Sequence, residues 1–204
     1  MTVWACIPVK PPHGGKSRLA PVLSPVERRE MAGAMLARVV SAGQASALID
    51  TVCLVGTARN GLPESLRLLP DPGRGLNPAL QGALEIAVRE GVSRLVLIHG
   101  DLPRVTASDL DALARVPEGI VGIAPDRHGT GTNALSLPLP PASGFRFAFG
   151  IGSFARHRRE AARIGSPALL IETPGLACDV DDPADLADAA DLLETVRARR
   201  PSPD

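Results

Sequence analysis

Tyrosine is absent, tryptophan occurs once, and the four phenylalanines all fall between positions 145 and 154. So few aromatics leave no stacking surface for single-stranded nucleic acid. An excess of either charge is missing as well, since twenty-two basic residues cancel twenty-two acidic ones. No overall field draws the chain onto DNA, RNA or an anionic membrane, and any anion must be held by a local site. No apolar run approaches the roughly 18 residues of a membrane span. The opening Met-Thr-Val-Trp-Ala-Cys-Ile-Pro-Val-Lys lacks the basic leader and long apolar stretch of a signal peptide. Cys6, Cys53 and Cys178 are odd in number and far apart, which matches neither a disulfide framework nor a zinc ribbon. These absences point to a reduced, cytoplasmic protein with no nucleic-acid and no membrane partner. Lysine is scarce too: of the twenty-two basic residues only Lys10 and Lys16 are lysine.

What is present suits one globular domain. The chain has 204 residues, 45% of them hydrophobic, enough for a single sizeable core. Short apolar runs at 3–9, 51–55, 65–69, 94–99, 120–124 and 168–171 read as strands. Helical patterns separate them at 25–47, 77–89, 107–115, 153–164 and 183–196. Ser24, Pro25 and Glu27 mark one helix start with a capping box, and Asp182 before Pro183 marks another. Residues 133–137 and 145–149 alternate like a hairpin pair or neighbouring antiparallel strands. The expected fold is α/β, one Rossmann-like domain over 1–196 with a mostly parallel mixed sheet flanked by helices, and a frayed tail at 197–204. Ligands in such sheets bind beyond the carboxyl ends of the strands, which singles out the loops at 10–18, 70–77, 99–103, 125–132, 150–153 and 178–182.

The first of these loops carries Lys10, Gly15, Lys16, Ser17 and Arg18. It is either a solvated turn or a phosphate-binding loop, and the clustering of both lysines favours phosphate. A P-loop is excluded, because its first glycine would fall at Lys10 and because Pro21 and Pro25 interrupt the helix it requires. Asp101 emerges at the end of a buried strand, while Asp179 and Asp181 lie at i and i+2 on one side of an extended segment. Oxygen ligands without Cys or His suit Mg²⁺ or Mn²⁺; helix capping is the competing reading, and it wins for Asp182. The run Asp126-Arg127-His128-Gly129-Thr130-Gly131-Thr132-Asn133 is either an anion nest or a glycine-rich hairpin turn. Ser153 after Gly150-Ile151-Gly152 is an N-cap or an anion ligand. Asn77 is an N-cap by default and a purine-reading amide as the sharper alternative. Phe145, Phe147 and Phe149 share one face, expected to be core or the seam of a homodimer.

Taken in order, Ile7-Pro8-Val9-Lys10, Gly15 through Ser24, Gly75-Leu76-Asn77, Gly100-Asp101-Leu102-Pro103, Asp126 through Leu135, Phe149 through Phe154 and Asp179 through Pro183 resemble the 2-phospho-L-lactate guanylyltransferase family of deazaflavin-coenzyme biosynthesis. The resemblance spans residues 3–187. It implies a nucleotidyltransferase of the GT-A-like kind that joins the guanylyl group of GTP to the phosphate of a three-carbon acid and releases diphosphate. The acid is 2-phospho-L-lactate, phosphoenolpyruvate or 3-phospho-D-glycerate, and a downstream transferase accepts the product. By the same resemblance Thr132, Gly150 and Ser153 hold the acid, and Asp101, Asp179 and Asp181 hold Mg²⁺. Lys10, Gly15, Lys16, Ser17 and Arg18 face the triphosphate, with Lys16, Arg18 and Asp101 acting in catalysis, and Asn77 lies near guanine. Two competing readings are a sugar-nucleotide-dependent glycosyltransferase of the same fold and a non-catalytic nucleotide-binding regulator. The first needs acceptor-binding aromatics, which the chain hardly has; the second needs no metal-binding carboxylates.

Overall fold

The computed structural model describes residues 1–9 and 16–198. Along the chain run β1 (Val3–Pro8), a 3₁₀ turn (Ser17–Leu19), α1 (Pro25–Ala45), β2 (Thr51–Gly56), β3 (Arg67–Pro70), α2 (Leu76–Arg89), β4 (Arg94–Ile98), α3 (Ala107–Ala114), β5 (Val121–Pro125) and β6 (Thr132–Pro138). Then follow α4 (Ser153–Arg163), β7 (Ala168–Leu170), α5 (Pro174–Ala177), a second 3₁₀ segment (Pro183–Ala189) and α6 (Ala190–Ala198). The seven strands form one sheet in the order β3-β2-β1-β4-β6-β5-β7. Pairings among β1, β2, β3 and β4 and between β5 and β7 are parallel, and only β6 runs against its neighbours. The mostly parallel mixed sheet expected from the sequence is what forms.

Strand alternation builds a core on each face. In β1, Trp4 and Cys6 pack with Leu80 and Leu84 of α2, while Val3, Ala5 and Ile7 pack with Val39 of α1 and Leu110 of α3. A third cluster, Leu19, Leu23, Met31, Met35, Val180, Ala189 and Leu192, ties the 3₁₀ turn and the segment around residue 180 to α1. No helix among the described residues is long and apolar enough to cross a membrane.

The local signals at helix starts hold in detail. Ser24 and Glu27 form the reciprocal capping box at α1, with Pro25 at its first position. Asp182 and Asp185 do the same for the second 3₁₀ segment.

Four expectations need correction. Residues 145–149 are not a strand. Their backbone donors are taken by side chains, Arg146 N–H by Glu160 at 2.7 Å, Ala148 N–H by His157 at 3.0 Å and Phe149 N–H by Asn77 at 2.8 Å. These bonds stand in for a sheet ladder, and the buried Phe145, Phe147 and Phe149 belong to the core, not to a dimer seam. The closing helix of 183–196 is divided, because Asp185 turns back onto the N–H groups of Asp181 and Asp182, both at 2.9 Å, and winds the first part tightly. The helix after it runs to Ala198, two residues beyond the expected end at 196, and the rest of the 197–204 tail lies outside the described residues. Asn77 and Ser153 are not N-caps either: those positions fall to Gly75 and Gly152, both with positive φ.

Candidate active site

Two loops reach the carboxyl edge of the sheet and bond to each other there. After β4, Gly100 lets the chain settle against α1, since a Cβ there would stand 2.9 Å from Leu36 Cδ1. The next residue, Asp101, accepts a hydrogen bond at its carbonyl from Val180 N–H at 3.3 Å. Val180 is fully buried, so Asp179 and Asp181 on either side of it face away from that core and toward Asp101. The carboxylate of Asp185, holding Asp181 N–H, fixes this stretch from behind. Arg127 adds a further tie, with Asp188 at 2.7 Å and the Asp179 carbonyl at 3.3 Å.

Lys16 closes the cluster from the first loop. Its backbone is left-handed, φ 56°, a conformation uncommon for a residue with a side chain, and Leu19 buried three residues on anchors the turn. The ammonium donates to Asp101 Oδ2 at 2.6 Å and to Asp181 Oδ1 at 3.0 Å. Burial works against its charge, yet the two carboxylates outweigh burial and raise its pKa. The Asp179 pKa rises as well, which for an acid disfavours the charge: burial pushes its carboxyl up and the charges of Asp101 and Asp181 add to this, against a hydrogen bond from Asn133. Ser17 and Arg18 are exposed beside Lys16. Lys10 and Gly15 lie outside the described residues.

Among the described residues no three His, Cys, Asp or Glu side chains are grouped closely enough to hold a metal ion. The donor chemistry nevertheless fits a hard divalent cation, because the acids offer oxygen alone. The Lys16 ammonium, bridging Asp101 and Asp181, already marks a cation position between them.

A second zone adjoins the first through β6. Because β6 is antiparallel, its first residues lie beside the carboxyl end of β4: Ile98 pairs with Ala134, and His99 N–H donates to the Asn133 carbonyl at 2.9 Å. Asn133 Nδ2 reaches Asp179 Oδ1 at 3.2 Å and the Leu176 carbonyl at 2.9 Å. Its neighbour Thr132 is nearly buried and accepts from Ser153 Oγ at 3.3 Å. His157 Nδ1 lies 3.0 Å from the same Thr132 oxygen. Gly150, exposed and at φ 114°, sits before α4. Arg156 Nη2 lies 3.5 Å from the point a Cβ on Gly150 would occupy, and its buried Nε has no hydrogen-bond partner among the described residues. The Gly-Thr run forms the turn of the β5–β6 hairpin rather than an anion nest, since the Asp126 carboxylate itself takes Thr130 N–H at 2.8 Å. Asn77 spends its amide on Phe149, accepting from N–H at 2.8 Å and donating to the carbonyl at 3.2 Å.

The structure thus gathers Lys16, Asp101, Asp179 and Asp181 in one cluster and Thr132 and Ser153 in another. Arg156 and His157 escaped the sequence reading, and Asn133 entered it only as the end of the Gly-Thr run. Spacing could have found the first two, for positions i+3 and i+4 from Ser153 share its helix face.

The model of the family described as "Guanylyl transferase CofC like" matches residues 3–192. A phosphoenolpyruvate guanylyltransferase of Sphaerobacter thermophilus is 42% identical over 195 residues, covering 93% of either chain. One of Rubrobacter xylanophilus is 40% identical over 194 residues, covering 92% of this chain and 93% of its own. Among solved structures, a nucleotidyl transferase from Methanothermobacter thermautotroptrophicus aligns with TM-score 0.63 and 18% identity, over 95% of this chain and 99% of the other. A 4-diphosphocytidyl-2C-methyl-D-erythritol synthase gives TM-score 0.63 and 11% identity, over 94% and 99%. At those identities the two structures share the fold.

Proposed function

The chain belongs to the CofC-like guanylyl transferase family and is a nucleotidyltransferase, and from that premise we propose that it transfers the guanylyl group of GTP to the phosphate of phosphoenolpyruvate, releasing diphosphate. Guanylyl transfer to a phospho-acid follows from the family and its relatives; the choice of acid rests on the names those relatives carry. The observation that carries the reading is the adjacency of two unlike zones. One is a lysine between acidic side chains; the other is a pair of hydroxyls with an arginine nearby, joined to the first through Thr132 and Asn133.

The chemistry asks for such a division. A phosphate monoester is already ionised at neutral pH, so the attacking oxygen needs no general base. The obstacle is the approach of two anions, each pair of unit charges at 4 Å repelling by about 1 kcal/mol in water and several-fold more in a drier cleft. In this reading Lys16 and Arg18 take up charge on the departing diphosphate. Thr132 donates a hydrogen bond to the acid while Ser153 supports the Thr132 hydroxyl from behind, Gly150 leaves room for the acid, and Arg156 offsets its charge. Asp101, Asp179 and Asp181 would hold Mg²⁺, which when bound neutralises phosphate oxygens and aligns them for in-line displacement. We place the reaction in the cytoplasm, in the assembly of a deazaflavin coenzyme, with a transferase downstream to consume the activated acid.

Diphosphate release from GTP and Mg²⁺ with each of phosphoenolpyruvate, 2-phospho-L-lactate and 3-phospho-D-glycerate tests the proposal. Phosphoenolpyruvate should give the highest kcat/KM. Preference for another acid would overturn the substrate assignment, and release with none of them would overturn the reaction.

A further inference from the structure

The ring of His157 is completely buried and both of its nitrogens are engaged. Ala148 N–H donates to Nε2 at 3.0 Å. A backbone amide can only donate, so Nε2 carries a lone pair, and the proton of the neutral imidazole must sit on Nδ1. That proton points at Thr132 Oγ1, 3.0 Å away. Burial, reinforced by the positive charge of Arg156, lowers the His157 pKa to about 4, so the neutral ring persists through the physiological range. Phe149, 4.6 Å away and edge-on, and Phe145, 5.9 Å away, hold the ring plane. Asn77 in turn grips Phe149 through both of its main-chain polar groups.

The consequence falls on Thr132. Its oxygen accepts from His157 Nδ1–H and from Ser153 Oγ–H at 3.3 Å, which occupies both lone pairs. Its own proton must therefore be directed elsewhere as a donor. We propose that His157 is a positioning residue that commits the Thr132 hydroxyl to donate to the anionic phospho-acid. The inference rests on the proposed function, which puts the acid at Thr132. It deepens that reading by naming what sets the polarity of the acid site: a hydroxyl free to rotate could present a lone pair to an anion, whereas this one cannot. The order of events is structural. An amide from the 145–149 segment selects the tautomer, the tautomer selects the rotor, and the rotor selects a negatively charged partner.

Two substitutions separate this role from packing. In His157→Asn the side-chain amide nitrogen overlays Nδ1 and keeps the donor to Thr132. In His157→Gln the amide oxygen overlays Nε2, keeping the acceptor for Ala148 and losing the donor. KM for phosphoenolpyruvate should rise about tenfold or more in His157→Gln, as for loss of one hydrogen bond to a charged group. KM for GTP should stay within about twofold, and His157→Asn should restore KM for the acid. The Gln substitution should add nothing in a Thr132→Val background. Equal KM values for the acid in wild type and His157→Gln, or equal impairment by Asn and Gln, would overturn the proposal. Long-range proton–nitrogen NMR of the wild type reads the tautomer directly and does not depend on a variant folding. Protonated Nδ1 is expected, and protonated Nε2 would refute the relay. An inactive wild type with a protonated Nδ1 would instead mean that the function is misassigned and the acid is not the anion served.

Discussion

Replacing Lys16 by methionine removes the cation on which the acidic cluster is organised. At an effective dielectric of about 20, unit charges at 2.6 Å attract by about 6 kcal/mol and at 3.0 Å by about 5.5 kcal/mol. Those gains are offset by several kcal/mol for burying each ion. The Asp181 side chain is 54% exposed, so solvent screens most of its share, whereas Lys16 and Asp101 are only 11% and 23% exposed. The net loss on truncation therefore comes mainly from the Asp101 pair, and about 2 kcal/mol is a reasonable magnitude. For a chain of this size that lowers Tm by about 4–8 °C. Turnover should fall further, by about two to three orders of magnitude, as when a fixed donor to developing charge is deleted. Lys16→Arg should not recover it, because a planar fork cannot reproduce a point charge shared by two carboxylates. Differential scanning calorimetry and a coupled diphosphate assay read both quantities, and a cycle with Asp101→Asn should show coupling above about 1 kcal/mol. A Lys16→Met protein with wild-type Tm and turnover within about twofold would refute the electrostatic account of this cluster.

Asp179→Asn should separate stability from activity. The raised carboxyl pKa means that the folded protein holds the proton more tightly than the unfolded chain, so its stabilisation is complete below the unfolded pKa and lost as pH rises through the folded value. At pH 7 the Asn variant should melt above wild type and turn over at least about tenfold more slowly, with the Tm difference vanishing in acid. Arg156→Gln should raise KM for the acid about tenfold or more and leave KM for GTP near wild type; a change confined to GTP would assign the guanidinium to the other substrate. Asn77→Ala should cost about 1–3 kcal/mol in urea unfolding and raise KM for the acid, because it frees Phe149 and with it the segment that fixes His157. A rise in KM for GTP alone would return Asn77 to guanine recognition.

The frame of the fold is legible in the sequence wherever local chemistry decides it. Buried apolar strands and the Ser24-Pro25-Glu27 and Asp182-Pro183 starts depend on neighbours within a few residues, and they appear as read, with Asp185 completing the second capping box. Residues 145–149 misled because alternation of Phe with Arg146 and Ala148 suits a half-buried strand. What overrides it is long-range, namely the side chains of Asn77, His157 and Glu160 bonding its amides. In the site, the acidic residues were readable because loop position and charge alone single them out. The bridge from Lys16 to Asp101 and Asp181 was not, for it spans 85 and 165 residues of sequence. His157 stayed hidden for another reason: it lies inside a helix, where a lone histidine looks like a packing residue until its two partners are seen.

The most direct test of the central claim is the identity of the bond formed. Mass spectrometry and phosphorus NMR of a reaction with GTP, Mg²⁺ and phosphoenolpyruvate should show guanosine joined to the acid through a new diphosphate linkage, with one free diphosphate released per product. GTP hydrolysed to GMP and diphosphate without that linkage, or converted to GDP with the γ-phosphate transferred, would contradict it.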